Sequence, residues 1–100
     1  TVQLQLAMPP NQAHRGEVLK LLVHPDWRGR GIARALMAAL EARARGLGKT
    51  LITLDTRTGD KAEPLYRSLG YEAAGVIPGY CRAPEAADRL DATTYMYKAL

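Results

Sequence analysis

Residues 17–45, EVLKLLVHPDWRGRGIARALMAALEARAR, decide how this chain folds. The run opens with EVLKLLV at 17–23, nearly continuous in apolar residues, which reads as a strand buried on both faces over its second half. His24-Pro25-Asp26 ends it. Past the turn RGRG, the apolar residues Ile32, Ala35, Leu36, Ala39 and Leu40 recur at helical spacing as far as about Arg45, with Gly46 and Gly48 as stops. LITLDT at 51–56 is short, β-branched and apolar, a second buried strand. Strand, helix and strand of these lengths make a βαβ unit with a right-handed crossover.

Upstream, TVQLQLA at 1–7 alternates polar and apolar, so Val2, Leu4 and Leu6 share one face of a strand. Pro9 and Pro10 stop it, and the polar turn PPNQAHRG predicts a hairpin into the 17–23 strand. The sequence opens on this alternation without a methionine, as though a longer one were entered partway. Downstream, Asp60 with Glu63 forms a capping-box pattern, Leu65 and Leu69 lie one helical turn apart, and Gly70 terminates the helix. Two strands, 71–77 and 92–98, close the chain, joined by the Pro-rich and charged stretch PGYCRAPEAADRLD. The expected class is α/β with a mixed sheet (α+β) in the order β-β-α-β-α-β-β. One domain over 1–100 is expected, with a core at 17–70 and a terminal hairpin at 71–100.

The composition, 47% hydrophobic in 100 residues, suits one domain that buries roughly two-thirds of its unfolded surface. No apolar run approaches the ~20 residues of a membrane helix, and no signal peptide is evident, so the cytoplasm and no membrane partner are expected. Cys81 is alone, so no intrachain disulfide can form, and two histidines at unrelated spacings leave no metal site expected. With no histidine paired to it, Cys81 reads as a small buried residue rather than a nucleophile. Ser68, inside a helix and outside any G-x-S-x-G turn, gives no support for a serine hydrolase. A net charge of +4 favours anionic partners.

Three phosphate-binding signatures compete for that anion. GLGKT at 46–50 ends like a Walker loop, but Arg43 stands where its first glycine belongs and a strand follows instead of a helix. A dinucleotide fingerprint would need a third glycine where Arg34 stands. RGRGIA, comprising Arg28, Gly29, Arg30, Gly31, Ile32 and Ala33, offers backbone N–H groups at a helix start with two guanidinium groups alongside, a setting for pyrophosphate. An ordinary Gly-rich turn with exposed arginines is the competing reading.

The stretch VHPDWRGRGIARALM resembles the central motif of the GNAT superfamily of acetyl-coenzyme A dependent N-acetyltransferases, with Arg28, Gly31 and Ala33 in its three defining places. Glu17 placed before Val23, and AEPLYRSLGY at 62–71, are similar to further family segments. LDT, AEPLYRSLGY and PGYC together resemble the tabtoxin-resistance type. One departure is Gly59, where many members carry an asparagine that contacts the cofactor or the helix start. The resemblance implies a C-terminal portion of the fold, without its N-terminal strand and helices.

The resemblance further implies that the cosubstrate is acetyl-CoA. Its pantetheine arm would meet the backbone of Leu22 and Val23, and its pyrophosphate would rest on 28–33. Tyr66 matches the family's general acid, and a phenol of pKa ~10 can protonate a leaving thiolate at neutral pH, with packing beside Leu65 and Leu69 as the competing reading. Asp55 and Glu17 are the two candidate bases, unless Lys20 or Arg57 claims them as ion-pair partners, or the amine loses its proton to water and neither acts. Tyr80, Cys81 and Arg82 would border the acceptor pocket. The expected partner is a small-molecule amine, and the exposed strand at 1–7 leaves room for a homodimer. Two alternatives are a non-catalytic acyl-CoA-binding module and a basic nucleic-acid-binding module. Against nucleic acid, the aromatics are not interleaved with the basic residues.

Overall fold

The computed structural model of the chain describes residues 3–6, 8, 10–19, 31–60, 62–83 and 86–100. Its strands are β1 (Gln3–Gln5), β2 (Arg15–Leu19), β3 (Leu51–Arg57), β4 (Glu72–Ala83) and β5 (Ala86–Ala99). Between them lie a 3-10 turn (Pro10–Gln12), α1 (Ile32–Gly46) and α2 (Ala62–Ser68). The element order is the one expected from the sequence. The strands neighbour each other as β1-β2-β3-β5-β4. β2 and β3 are parallel, as two strands joined by a crossover helix must be, whereas β1–β2 and β4–β5 are antiparallel. Among the described residues no helix is long and apolar enough to cross a membrane. The chain divides into two compact units, Thr1–Thr53 with Lys98–Leu100, and Leu54–Tyr97.

In the first unit, β2 buries Gly16 and Val18 and pairs Gly16 with Ile52 of β3. The second half of the expected 17–23 strand lies outside the described residues. The buried stripe of α1 is Met37, Leu40, Glu41 and Ala44, not the stripe through Ala35 and Ala39, which are exposed. An alanine-rich helix carries little apolar contrast, so its one methionine and one salt-linked carboxylate set the rotation. Lys98 Nζ donates to Glu41 Oε1 at 2.7 Å and Arg45 Nη2 stands 4.0 Å from the same oxygen, and these cations help a carboxylate sit 5% exposed. The helix ends in a Schellman arrangement, with the Lys49 N–H on the Ala44 carbonyl and the Gly48 N–H on that of Arg45. Gly48 is therefore the stop, and Gly46 is still helical. Lys49 Nζ then clips the carbonyls of Leu6 and Ala13.

The second unit packs Leu54, Tyr66, Tyr71, Ala83 and Met96 as its buried apolar residues. α2 closes with the same hydrogen-bond pair, Tyr71 N–H to the Tyr66 carbonyl and Gly70 N–H to that of Arg67. The stretch expected to link the last two strands is itself largely strand. β4 continues to Ala83 and β5 begins at Ala86. Register shifts absorb its irregular residues: Ile77 pairs with Thr93 and Cys81 with Asp91, so three residues of β4 stand against one of β5. Pro78, which lacks an N–H, is tolerated because β4 is the edge strand, and Gly79 takes a φ of 62° that a side chain would resist.

Candidate functional site

The start of α1 is the described part of the glycine turn. Arg28, Gly29 and Arg30 lie outside the described residues, as do Leu22 and Val23. Gly31 is the N-cap of the helix at φ 74°, a left-handed conformation that favours glycine, and its carbonyl accepts the Ala35 N–H at 2.9 Å. It brings no side-chain cap, and the first turn that it opens, with Ile32 and Ala33, contains no acidic residue. A Cβ built on Gly31 would meet nothing within 4 Å. The backbone conformation, rather than crowding, is what requires glycine. A helix start with neither an acidic neighbour nor a capping oxygen fits an external anion, to which its N–H groups and dipole are oriented.

Glu17 belongs to the same unit. It is half-buried in β2, with Leu19 and Arg15 on its face by alternation, and pairs in register with Gln5 of β1 and Thr53 of β3. Lys20, one of its sequence-expected partners, lies outside the described residues.

Asp55 and Tyr66 belong to the second unit. β3 buries Ile52, Leu54 and Thr56 in alternation, which turns Asp55 to the opposite, exposed side. Tyr66 is the one buried residue of α2, 5% exposed, and stands edge-on to Tyr71 with ring centroids 5.9 Å apart. Packing and an acid role are not exclusive here. Burial pushes the Tyr66 phenol up from its ordinary value, and the negative charges of Asp60 and then Asp55 add to the shift. Tyr66 therefore feels Asp55, and its hydroxyl takes no hydrogen-bond partner among the described residues.

The turn between β3 and α2 resolves the departure at Gly59. Its N–H donates to Glu63 Oε2 at 3.2 Å, and the Glu63 N–H donates to the Asp60 carbonyl at 3.2 Å. The helix start is thus held by the glutamate of the capping pattern, without a side chain at 59.

The hairpin supplies what the sequence did not reveal. Arg57, the proposed ion-pair partner of Asp55, instead meets Asp91 Oδ2 through Nε at 2.8 Å, and Arg89 Nε reaches Asp91 Oδ1 at 3.2 Å. Thr93, 3% exposed, points its hydroxyl at Asp55 Oδ2, 3.5 Å away, and at the Thr56 carbonyl, 3.4 Å away. The strand at 92–98 is legible in the sequence, but these cross-strand partners are not. Cys81 is exposed rather than buried, because β4 forms the sheet edge. Tyr80 is also exposed, and its hydroxyl shares a 2.8 Å hydrogen bond with that of Tyr95.

Known proteins match this arrangement. The model of the acetyltransferase (GNAT) family matches residues 3–71. An acetyltransferase of Pectobacterium atrosepticum is 43% identical over 65 residues, which are 64% of this chain and 46% of that protein. Among solved structures, ribosomal-protein-alanine N-acetyltransferase from Brucella melitensis superposes with a TM-score of 0.86 at 26% identity, over 99% of this chain and 60% of that one. A GCN5-related N-acetyltransferase from Kribbella flavida gives 0.85 at 25%, over 99% and 58%. The matched stretch spans about half the length of these relatives.

Proposed function

Because this chain belongs to the acetyltransferase (GNAT) family, we propose that it moves acetyl from acetyl-CoA to the amine of a small molecule, in the manner of the tabtoxin-resistance type. Acetyl-CoA supplies the activated acetyl group. The amine nitrogen bonds to the thioester carbonyl carbon, the carbon–sulfur bond breaks, and the departing sulfur needs a proton.

The observation that carries this reading is Tyr66, a phenol whose burial and acidic neighbours keep it protonated. It is the acid for the sulfur. Asp55, on whose charge Tyr66 already depends, takes the proton released by the amine, with Glu17 as the alternative base. The phosphates rest on residues 28–33, where Gly31 opens a helix with no competing side-chain cap. Backbone groups at Leu22 and Val23 take the pantetheine arm.

Calorimetric titration of acetyl-CoA into the chain, with desulfo-CoA as control, tests the cosubstrate. Saturable binding that is lost in the Arg30→Ala, Gly31→Val double variant supports the cradle. Absence of binding by the folded wild-type chain overturns it.

A further inference from the structure

We propose that the open face of the β4–β5 hairpin, built on Ile77, Tyr80, Tyr95 and Tyr97, is a two-fold interface that takes a second copy of this chain. The copies meet end for end, with the Glu72 end of one hairpin over the Arg82 end of the other. The inference goes beyond the acetyl-transfer reading and holds whether or not the chain transfers acetyl.

Exposure and register locate the face. Of the seven large hydrophobic residues exposed among the described residues, five lie on this hairpin, so exposed apolar surface is concentrated there. Cross-strand partners share a face, and the pairs Ile77–Thr93, Gly75–Tyr95 and Glu72–Tyr97 put Ile77, Tyr95 and Tyr97 together. Tyr80 joins them, sharing a 2.8 Å hydrogen bond with the Tyr95 hydroxyl and standing edge-on to its ring at 6.0 Å. Buried Met96 points to the opposite side by alternation, which leaves this face outside the packing around it. β1, the strand whose exposure the sequence offered for self-association, has only three residues.

Area sets how tightly a second copy is held. Ile77 is 43% exposed, Tyr80 46% and Tyr97 38%. At roughly 200 Å² per side chain, these three and half-buried Tyr95 offer about 300 Å² of mostly apolar surface. A specific interface needs about 500 Å² per partner, a little over half of it apolar, so the face meets the lower bound. The dimer it supports is weak.

Charge gives the copy its direction. The only charged residues of β4 are Glu72 and Arg82, near its opposite ends. Glu72 lies on the tyrosine face, where the Tyr97 hydroxyl donates to it at 2.8 Å. Arg82 pairs in register with Leu90, but it lines the same cavity as Cys81 and Thr93, whose pairing puts them on the tyrosine face. Apolar in the middle, acidic at one end and basic at the other, the face complements itself when turned end for end, as a two-fold axis turns it. Asp55 lies on β3, with β5 between it and β4, so contact centred on β4 leaves that carboxylate open.

Sedimentation equilibrium of the full chain from about 1 µM to 1 mM, the range that weak association spans, tests the interface. The expected result is a mass that rises from 10.9 kDa toward twice that value. Ile77→Lys and Tyr97→Lys, independent substitutions on exposed side chains of the face, are each expected to abolish the rise. Leu47→Lys, which changes a residue of matching exposure, 44%, outside the hairpin, is expected to leave it unchanged. Glu72→Arg and Arg82→Glu, taken singly, should each weaken association by about fivefold, the scale of an exposed charge pair. The double exchange should restore it. Urea denaturation of each variant verifies that it folds.

A wild-type chain that keeps the monomer mass throughout that range overturns the interface. So does a rise that survives both Ile77→Lys and Tyr97→Lys, or one lost in the folded Leu47→Lys chain. A double exchange that associates no better than either single one overturns the end-for-end arrangement.

Discussion

Replacing Tyr66 with Phe removes one oxygen and leaves the ring that stands edge-on to Tyr71 at 5.9 Å. The hydroxyl has no partner among the described residues, so the substitution orphans no buried group there. Folding stability should therefore change by no more than about 0.5 kcal/mol, as for a substitution away from such features. Turnover should respond very differently. Loss of a positioned general acid costs about 10²- to 10⁴-fold, and at 1.36 kcal/mol per tenfold this is about 3–5 kcal/mol of barrier. The assay is the initial rate of free coenzyme A release against acetyl-CoA and an acceptor amine, alongside urea denaturation and acetyl-CoA calorimetry. The expected pattern is a collapsed kcat with acetyl-CoA affinity and denaturation midpoint unchanged. A variant that keeps its kcat within about threefold, with the same affinity, would refute the acid assignment and leave Tyr66 as packing.

Because burial, Asp60 and Asp55 all raise the Tyr66 pKa, the acid form persists past the ordinary phenol value of 10. Activity, read as a pH–rate profile, should therefore hold its alkaline limb above 10 and fall only as pH rises through the raised value; a limb at or below 10 would count against the assignment. Linkage has the same sign: the folded chain holds this proton more tightly than the unfolded chain, so the Tyr66 contribution to stability is complete below pH ~10 and is lost as pH climbs. Gly31→Ala places a side chain at φ 74° and should cost about 1–2 kcal/mol in denaturation. Lys98→Met strips the 2.7 Å partner from buried Glu41 but leaves Arg45 at 4.0 Å, and should cost about 1–3 kcal/mol. Glu41→Gln should cost less, since it leaves a lysine that is 24% exposed to water; the reverse order in urea denaturation would refute this account.

Much of the fold was legible because its signals are local. The 51–56 strand, the helix from Ile32 and the glycine stops rest on alternation, periodicity and chain chirality, each read within a few residues. The rotation of α1 was not, because an alanine-rich face cannot say that Glu41 will be buried; that depends on Lys98, far along the chain. The extent of β4 and β5 was hidden for a related reason. Pro78 and Gly79 are loop residues by local propensity, and an edge strand accepts them through a bulge that only the pairing register defines. Cys81 was misread as buried because its exposure follows from that edge position. At the candidate site, Tyr66 and Gly31 could be picked out by motif, whereas the charge state around Asp55 depends on which carboxylate Arg57 chooses.

That choice bears directly on the proposed role of Asp55 as base. The chain contains two similar tripeptides, LDT at 54–56 and LDA at 90–92, and Arg57 is two residues from Asp55 on the same strand. Local geometry would let the guanidinium serve either aspartate. The structure gives it to Asp91 at 2.8 Å and leaves Asp55 to the hydroxyl of Thr93. An Asp55 paired with arginine would be a poorer base, because its oxygens would already be accepting from the guanidinium. Asp91→Asn tests this division of labour without touching the reacting groups: Arg57, released from Asp91, can turn to Asp55. The expected outcome is a fall in kcat with acetyl-CoA affinity unchanged. An Asp91→Asn variant that folds and keeps its turnover would show that the Arg57–Asp91 pair has no part in keeping Asp55 available.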